Sequence, residues 1–145
     1  MSKLDRFILL LKMVEQAENK AAQLYNEQKK HLMSHLNQQK TIEAYYLNFR
    51  NQLDNTTGGS IQDLVNKRAY LKQLTDLRDS QQANLTIIEQ QTVKAERHWS
   101  KLHHKRLKIE ELIESIKQDL TKADDLRTQK LLDELSGIRY HDKNS

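Results

Sequence analysis

His31 and His35 stand four residues apart, the spacing that puts two imidazoles on one helix face where they can hold a metal ion. A hydrolytic site of the H-E-x-x-H type also needs the glutamate that acts as general base, and no acid joins this pair. His103 and His104 are adjacent, so on a helix they point in different directions. Gly58-Gly59-Ser60 is too short to cradle a phosphate and suits a turn instead. The chain has no cysteine, which excludes disulfides and thiolate chemistry and fits a reducing compartment. No residue pattern here supports catalysis. We expect no enzyme, metal, cofactor or small-molecule substrate.

Recognition chemistry is better represented. From Lys94 to Lys108 there are six Lys or Arg against one Glu, with three histidines and Trp99 among them. Basic runs with an aromatic can bind nucleic acid. Two features oppose that reading. Trp99 falls on an apolar stripe, opposite the small residues around Ala17 and Ala21, which removes it from stacking. The next stretch, Ile109 to Leu135, reverses sign with eight acids against four Lys or Arg. A solvated face or an acidic protein partner suits the run better, and no nucleic acid is expected.

The elements that must carry these residues are long helices. Only 37% of the 145 residues are hydrophobic and 30% are charged, too little apolar material for a thick core. Leucine occurs twenty-two times and glutamine fourteen, both good helix formers along with the lysines, arginines and glutamates. Stepping by three and four from Leu4 gives Phe7, Leu11, Val14, Glu18, Ala21, Tyr25, Gln28, Leu32, His35, Gln39, Ile42, Tyr46, Phe49 and Leu53. Eleven of these fifteen positions are apolar, the mark of a coiled-coil seam. A second stripe, from Leu85 through Ile88, Thr92, Ala95, Trp99, Leu102, Arg106, Ile109, Ile113, Ile116 and Leu120 to Ala123, is apolar at ten of twelve. Between the two the pattern weakens, with Lys67, Arg78 and Gln81 on the stripe.

The chain contains no proline, and two of its three glycines are Gly58 and Gly59. Asn55, Thr56 and Thr57 weaken the helix before them, and the glycines supply the backbone angles a reversal needs. Ser60 then reads as an N-cap with Asp63 in the place of the capping-box acid. The expected fold is all-α: two long helices forming an antiparallel coiled-coil hairpin with a C-terminal helical overhang. Residues 1–145 form a single coiled-coil domain, with helix 1 at about 3–54, a turn at 55–60 and helix 2 at about 61–139. Such arms would run roughly 80 and 115 Å, so residues from about Ser115 lack a partner within the chain. Leu126, Leu131, Leu132, Leu135 and Ile138 make that overhang too apolar for a solvated helix. It frays, pairs with a second copy, or docks into another protein. The run "FILLLKMV" is too short to span a membrane and lacks a signal-cleavage site, so a soluble, cytoplasmic chain is expected.

Beside each seam position of type a lies a flanking position g, and in an antiparallel pair the g residues of both helices share one flank. Near the turn these are Gln38 and Tyr45 on the first helix, Tyr70 and Leu77 on the second. Ile42, Phe49 and Leu74 lie next to them on the seam. Aromatic and apolar groups rimmed by polar ones suit a protein-binding patch; they equally suit side chains lying flat to thicken a weak seam.

Several stretches together resemble the FliJ family of flagellar type III export proteins. They are "LDRFILLLKMVEQAENKAAQLY", "YYLNFRNQL", "NKRAYLKQLTDL", the lone Trp99 and "QKLLDELSGIRY". The resemblance covers the whole chain. It implies an antiparallel two-helix coiled coil similar to the gamma subunit of rotary ATPases. Such a protein sits in the export ATPase ring, promotes ring assembly, engages the cytoplasmic domain of the membrane export gate and escorts empty export chaperones. It also implies a location at the cytoplasmic face of the cell membrane. By that similarity the gate-binding residues are Gln38, Ile42, Tyr45, Phe49, Tyr70, Leu74, Leu77 and Gln81, and the ATPase- or chaperone-binding residues are Leu131, Asp133 and Glu134. The equivalent stalk of a virulence type III secretion system and a plain dimerising coiled-coil scaffold are the competing readings.

Overall fold

The computed structural model describes residues 1–55 and 58–144, with side chains as far as 138. Thr56 and Thr57, expected to weaken the end of the first helix, lie outside the described residues. Two helices, α1 (Lys3–Asn55) and α2 (Ile61–Asn144), pack against each other as a helical hairpin. No strand occurs among the described residues.

Both helices start on the same device. Before α1, the Asp5 amide donates to Ser2 Oγ at 3.1 Å and the Ser2 amide donates back to Asp5 Oδ2 at 3.4 Å. Before α2, the Asp63 amide donates to Ser60 Oγ at 3.1 Å. Each cap satisfies an amide that no helical carbonyl can reach, worth about 1 kcal/mol. Gly58 and Gly59 hold φ at +109° and +117°, angles a side-chain-bearing residue adopts only under strain.

The seam count predicts burial closely. All fifteen stripe positions of α1, Leu4 to Leu53, are buried or half-buried, and so are the ten of α2 from Leu85 to Ile116. The three polar residues Lys67, Arg78 and Gln81 that weaken the pattern are half-buried as well. Period, not polarity, decides which residues face the partner.

Backbone contacts divide the chain into two units. The terminal unit comprises Met1–Glu18 and Lys101–Ser145. Its core is Val14, Ile109 and Ile113, packed by Leu4, Phe7, Ile8 and Leu11. Each fully buried aliphatic side chain of this kind contributes about 1.5–3 kcal/mol. Pairing runs slightly past Ser115: Ile116 is half-buried, and with Leu120, Asp119 and Ser2–Leu4 it lines a crevice of about 320 Å³. From Lys117 to Ile138 every residue is exposed.

The turn unit comprises Asn19–Ser100. Ala21, Tyr46, Leu74, Leu85, Ile88 and Thr92 are buried here. The Thr92 hydroxyl donates to the Ile88 carbonyl at 2.8 Å, so burial leaves it satisfied. Trp99 is half-buried and its ring lies 6.2 Å from that of Tyr25, which accounts for its place on the stripe.

Candidate protein-binding surfaces

In the turn unit the flank divides into two groups. Gln38, Ile42, Leu77 and Gln81 line one shallow groove of about 550 Å³, together with Ser34, Asn37 and Thr41. Its lining joins the aliphatic Ile42 and Leu77 to amides and hydroxyls, so it offers an apolar contact beside hydrogen-bonding groups. Phe49 and Tyr70 form the second group, their rings 4.7 Å apart and edge-to-face at 74°. That is a favourable aromatic geometry. Tyr70 therefore thickens the seam and is still 47% exposed.

The remaining two flank residues differ sharply. Tyr45 is 63% exposed and presents its ring to solvent, whereas Leu74 is buried at 9%. Leu74 thus supports the surface from beneath. Ser34, Asn37 and Thr41 join the groove although the seam count does not single them out. Polar surface residues carry no periodic signal, and only the closeness of their helix positions to Gln38 pointed to them. One seam neighbour, Arg78, stacks its guanidinium 4.1 Å above the Tyr46 ring and reaches Glu43 at 3.8 Å. An ion on an apolar stripe is tolerated here because its flat face covers the ring while its edge stays wet.

The terminal unit has a different polar feature. Glu18 Oε2 accepts from Arg106 Nε, and Glu18 Oε1 accepts from His103 Nδ1 at 2.9 Å. A carboxylate only accepts, so the His103 proton resides on Nδ1 in this contact. Arg106 also donates to Glu110 at 2.8 Å. Burial pushes the Glu18 carboxyl pKa up, but the hydrogen bonds from Arg106 and His103, followed by their charges, outweigh it and the net shift is downward. The hydrogen bonds to Glu18 and Glu110 push the Arg106 guanidinium up. Glu18 and Arg106 both stood on the stripes as polar exceptions. Opposite charges on the two arms were the signal for this layer.

Leu131, Asp133 and Glu134 all lie on the exposed length of α2, Leu131 at 57% exposure. Leu126, Leu132, Leu135 and Ile138 are 48–66% exposed alongside them. These uncovered aliphatic side chains make this length of α2 a candidate surface for a partner. Of the basic run, Lys94, Arg97, Lys101, Lys105 and Lys108 are exposed, and Arg106 is drawn inward by its two carboxylates.

The His31 and His35 rings meet edge-on, 4.5 Å apart. Among the described residues, no group of three or more His, Cys, Asp or Glu side chains is placed to hold a metal ion. Among the same residues, no helix is long and apolar enough to cross a membrane.

A family model described as "Flagellar FliJ protein" matches residues 2–145. No curated protein and no solved structure matches the chain significantly.

Proposed function

The chain belongs to the FliJ family of flagellar export components, and from that premise we propose that it works by recognition, without catalysis. Its two surfaces serve two partners. The flank of the turn unit, Gln38, Ile42, Tyr45, Phe49, Tyr70, Leu77 and Gln81 with the buried Leu74 beneath them, binds the cytoplasmic domain of the export-gate membrane protein. The exposed length of α2, through Leu131, Asp133 and Glu134, binds the export ATPase ring or an export chaperone. These contacts hold the protein at the cytoplasmic face of the cell membrane.

The observation that carries the gate reading is the groove: four of the eight flank residues, Gln38, Ile42, Leu77 and Gln81, line it together. Tyr45 and the Phe49–Tyr70 pair supply aromatic groups on the same unit. Aromatic side chains at the centre of a patch dominate binding energy. For α2, the supporting observation is the run of exposed leucines beyond the paired helices.

Tyr45→Ala is the cleaner test of this flank, because Tyr70 also packs on Phe49. Tyr45→Ala is expected to leave helicity and melting unchanged and to weaken binding to the gate domain about tenfold, measured by calorimetry. Unchanged affinity would remove Tyr45 from the interface. Co-purification of the full chain with the export ATPase tests the second surface, and Leu131→Ala with Leu135→Ala should reduce recovery. Undiminished recovery would move the ATPase contact elsewhere.

A further inference from the structure

In the turn unit, α1 carries three polar side chains at seam positions whose buried atoms find no hydrogen-bond partner in the protein: Gln28 Oε1, His35 Nδ1 and Gln39 Oε1. Among the described residues these are the three such atoms, and all belong to one helix. They fall between two contacts that hold the unit together, Tyr25–Trp99 and Glu43–Arg78.

The part of α2 that runs between those same contacts gives them no hydrogen bond: Gln81, its polar seam residue, lies at the Arg78 end and does not reach them. Leu85 and Ile88 are buried at 5% and 6%, and hydrocarbon gives no hydrogen bond. The Thr92 hydroxyl already donates its proton to the Ile88 carbonyl. A polar atom that surrenders water without gaining a partner opposes closure of the seam. The terminal unit shows the contrast: its core is Val14, Ile109 and Ile113, and its half-buried charged layer is hydrogen-bonded.

We propose that Gln28–Gln39 of α1 is an opening segment. It parts locally from α2, returns its three orphaned atoms to water and uncovers Leu85 and Ile88, while the contacts at Tyr25–Trp99 and Glu43–Arg78 stay closed. Hydrocarbon lost from the seam opposes opening, and recovered hydration favours it. The open state is therefore a minor population reached without global unfolding. Its consequence is a latent apolar strip in the turn unit, hidden in the closed form.

The chain has no native cysteine, so thiol labelling reads this opening directly. Ile88→Cys and Ile109→Cys place a thiol at positions of nearly equal burial, 6% and 4% exposed. Under native conditions Ile88→Cys should react at least about tenfold faster than Ile109→Cys. Adding Gln28→Leu and Gln39→Leu should slow the first by about tenfold and leave the second unchanged, since leucine removes the orphaned oxygens. Equal rates at the two sites would overturn the proposal, as would a rate at Ile88→Cys that ignores the leucines. Hydrogen exchange on the unmodified chain gives an independent reading. Amides of 28–39 should be at least about tenfold less protected than those of 7–14, and equal protection would sink the idea.

Discussion

The terminal unit and the turn unit follow one seam period and fill it differently. In the first, Val14, Ile109 and Ile113 make a hydrocarbon core, and the single charged layer is paired throughout, Glu18 with His103 and Arg106, and Arg106 with Glu110. In the second, amides and an imidazole occupy seam positions with buried atoms that find no hydrogen-bond partner in the protein, and Arg78 relies on the half-exposed Glu43, the exposed Asp79 and the Tyr46 ring. The first arrangement fixes register, because a displaced carboxylate would be buried without its cations. The second carries the aromatic flank and the groove. The paired part of the two helices thus fills one seam in two ways, with hydrocarbon and a paired charged layer at one end and with polar side chains at the other.

If that division is right, the largest loss should come from the hydrocarbon core. Ile113→Ala removes a side chain that is 7% exposed and should cost about 2–5 kcal/mol, read as a fall in the urea midpoint. Gln39→Ala, at a seam position of the turn unit, should cost far less, because it also removes an oxygen that lacks a partner. Equal losses at the two positions would break the comparison.

A smaller effect is expected at the charged layer. Glu18→Gln keeps the shape but removes the charge that answers Arg106 and His103, and should cost about 1–3 kcal/mol. Its counterpart in the turn unit, Arg78→Ala, loses a ring contact and two long, solvent-accessible ion pairs, about 0.5–1 kcal/mol together. The two variants in parallel thermal melts sharpen the contrast. A larger loss at Arg78 than at Glu18 would reverse it.

How much of this was legible from residue order depends on whether a feature belongs to one helix or to two. The stripe from Leu4 to Leu53 is a property of one helix, and every position it names turned inward. Ser60, Gly58 and Gly59 are local too, and their cap and positive φ angles follow from residue type. The Glu18–Arg106–His103 layer was not read. Counting along one arm gives the face but not the level at which the other arm meets it. Tyr70 shows the same limit. Its flank position left open whether it serves the surface or the seam, and only the level of Phe49 settles that it packs there while staying 47% exposed. Ser34, Asn37 and Thr41 entered the groove without any periodic sign.

Acid provides the finest test of the division. The Glu18 carboxyl has a pKa below its ordinary value of 4.5 in the folded chain. A carboxylate with a depressed folded pKa binds protons more readily unfolded, so its stabilising share is fully present above the unfolded value and fades as pH falls through the folded one. Stability should therefore drop as pH is lowered from about 5. Glu18→Gln should flatten that part of the profile, because the titrating group is gone. The measurement is the urea midpoint at several pH values for both proteins. Identical slopes would mean that Glu18 carries no share of the acid sensitivity, and the charged layer would then hold the terminal unit through geometry and packing rather than charge.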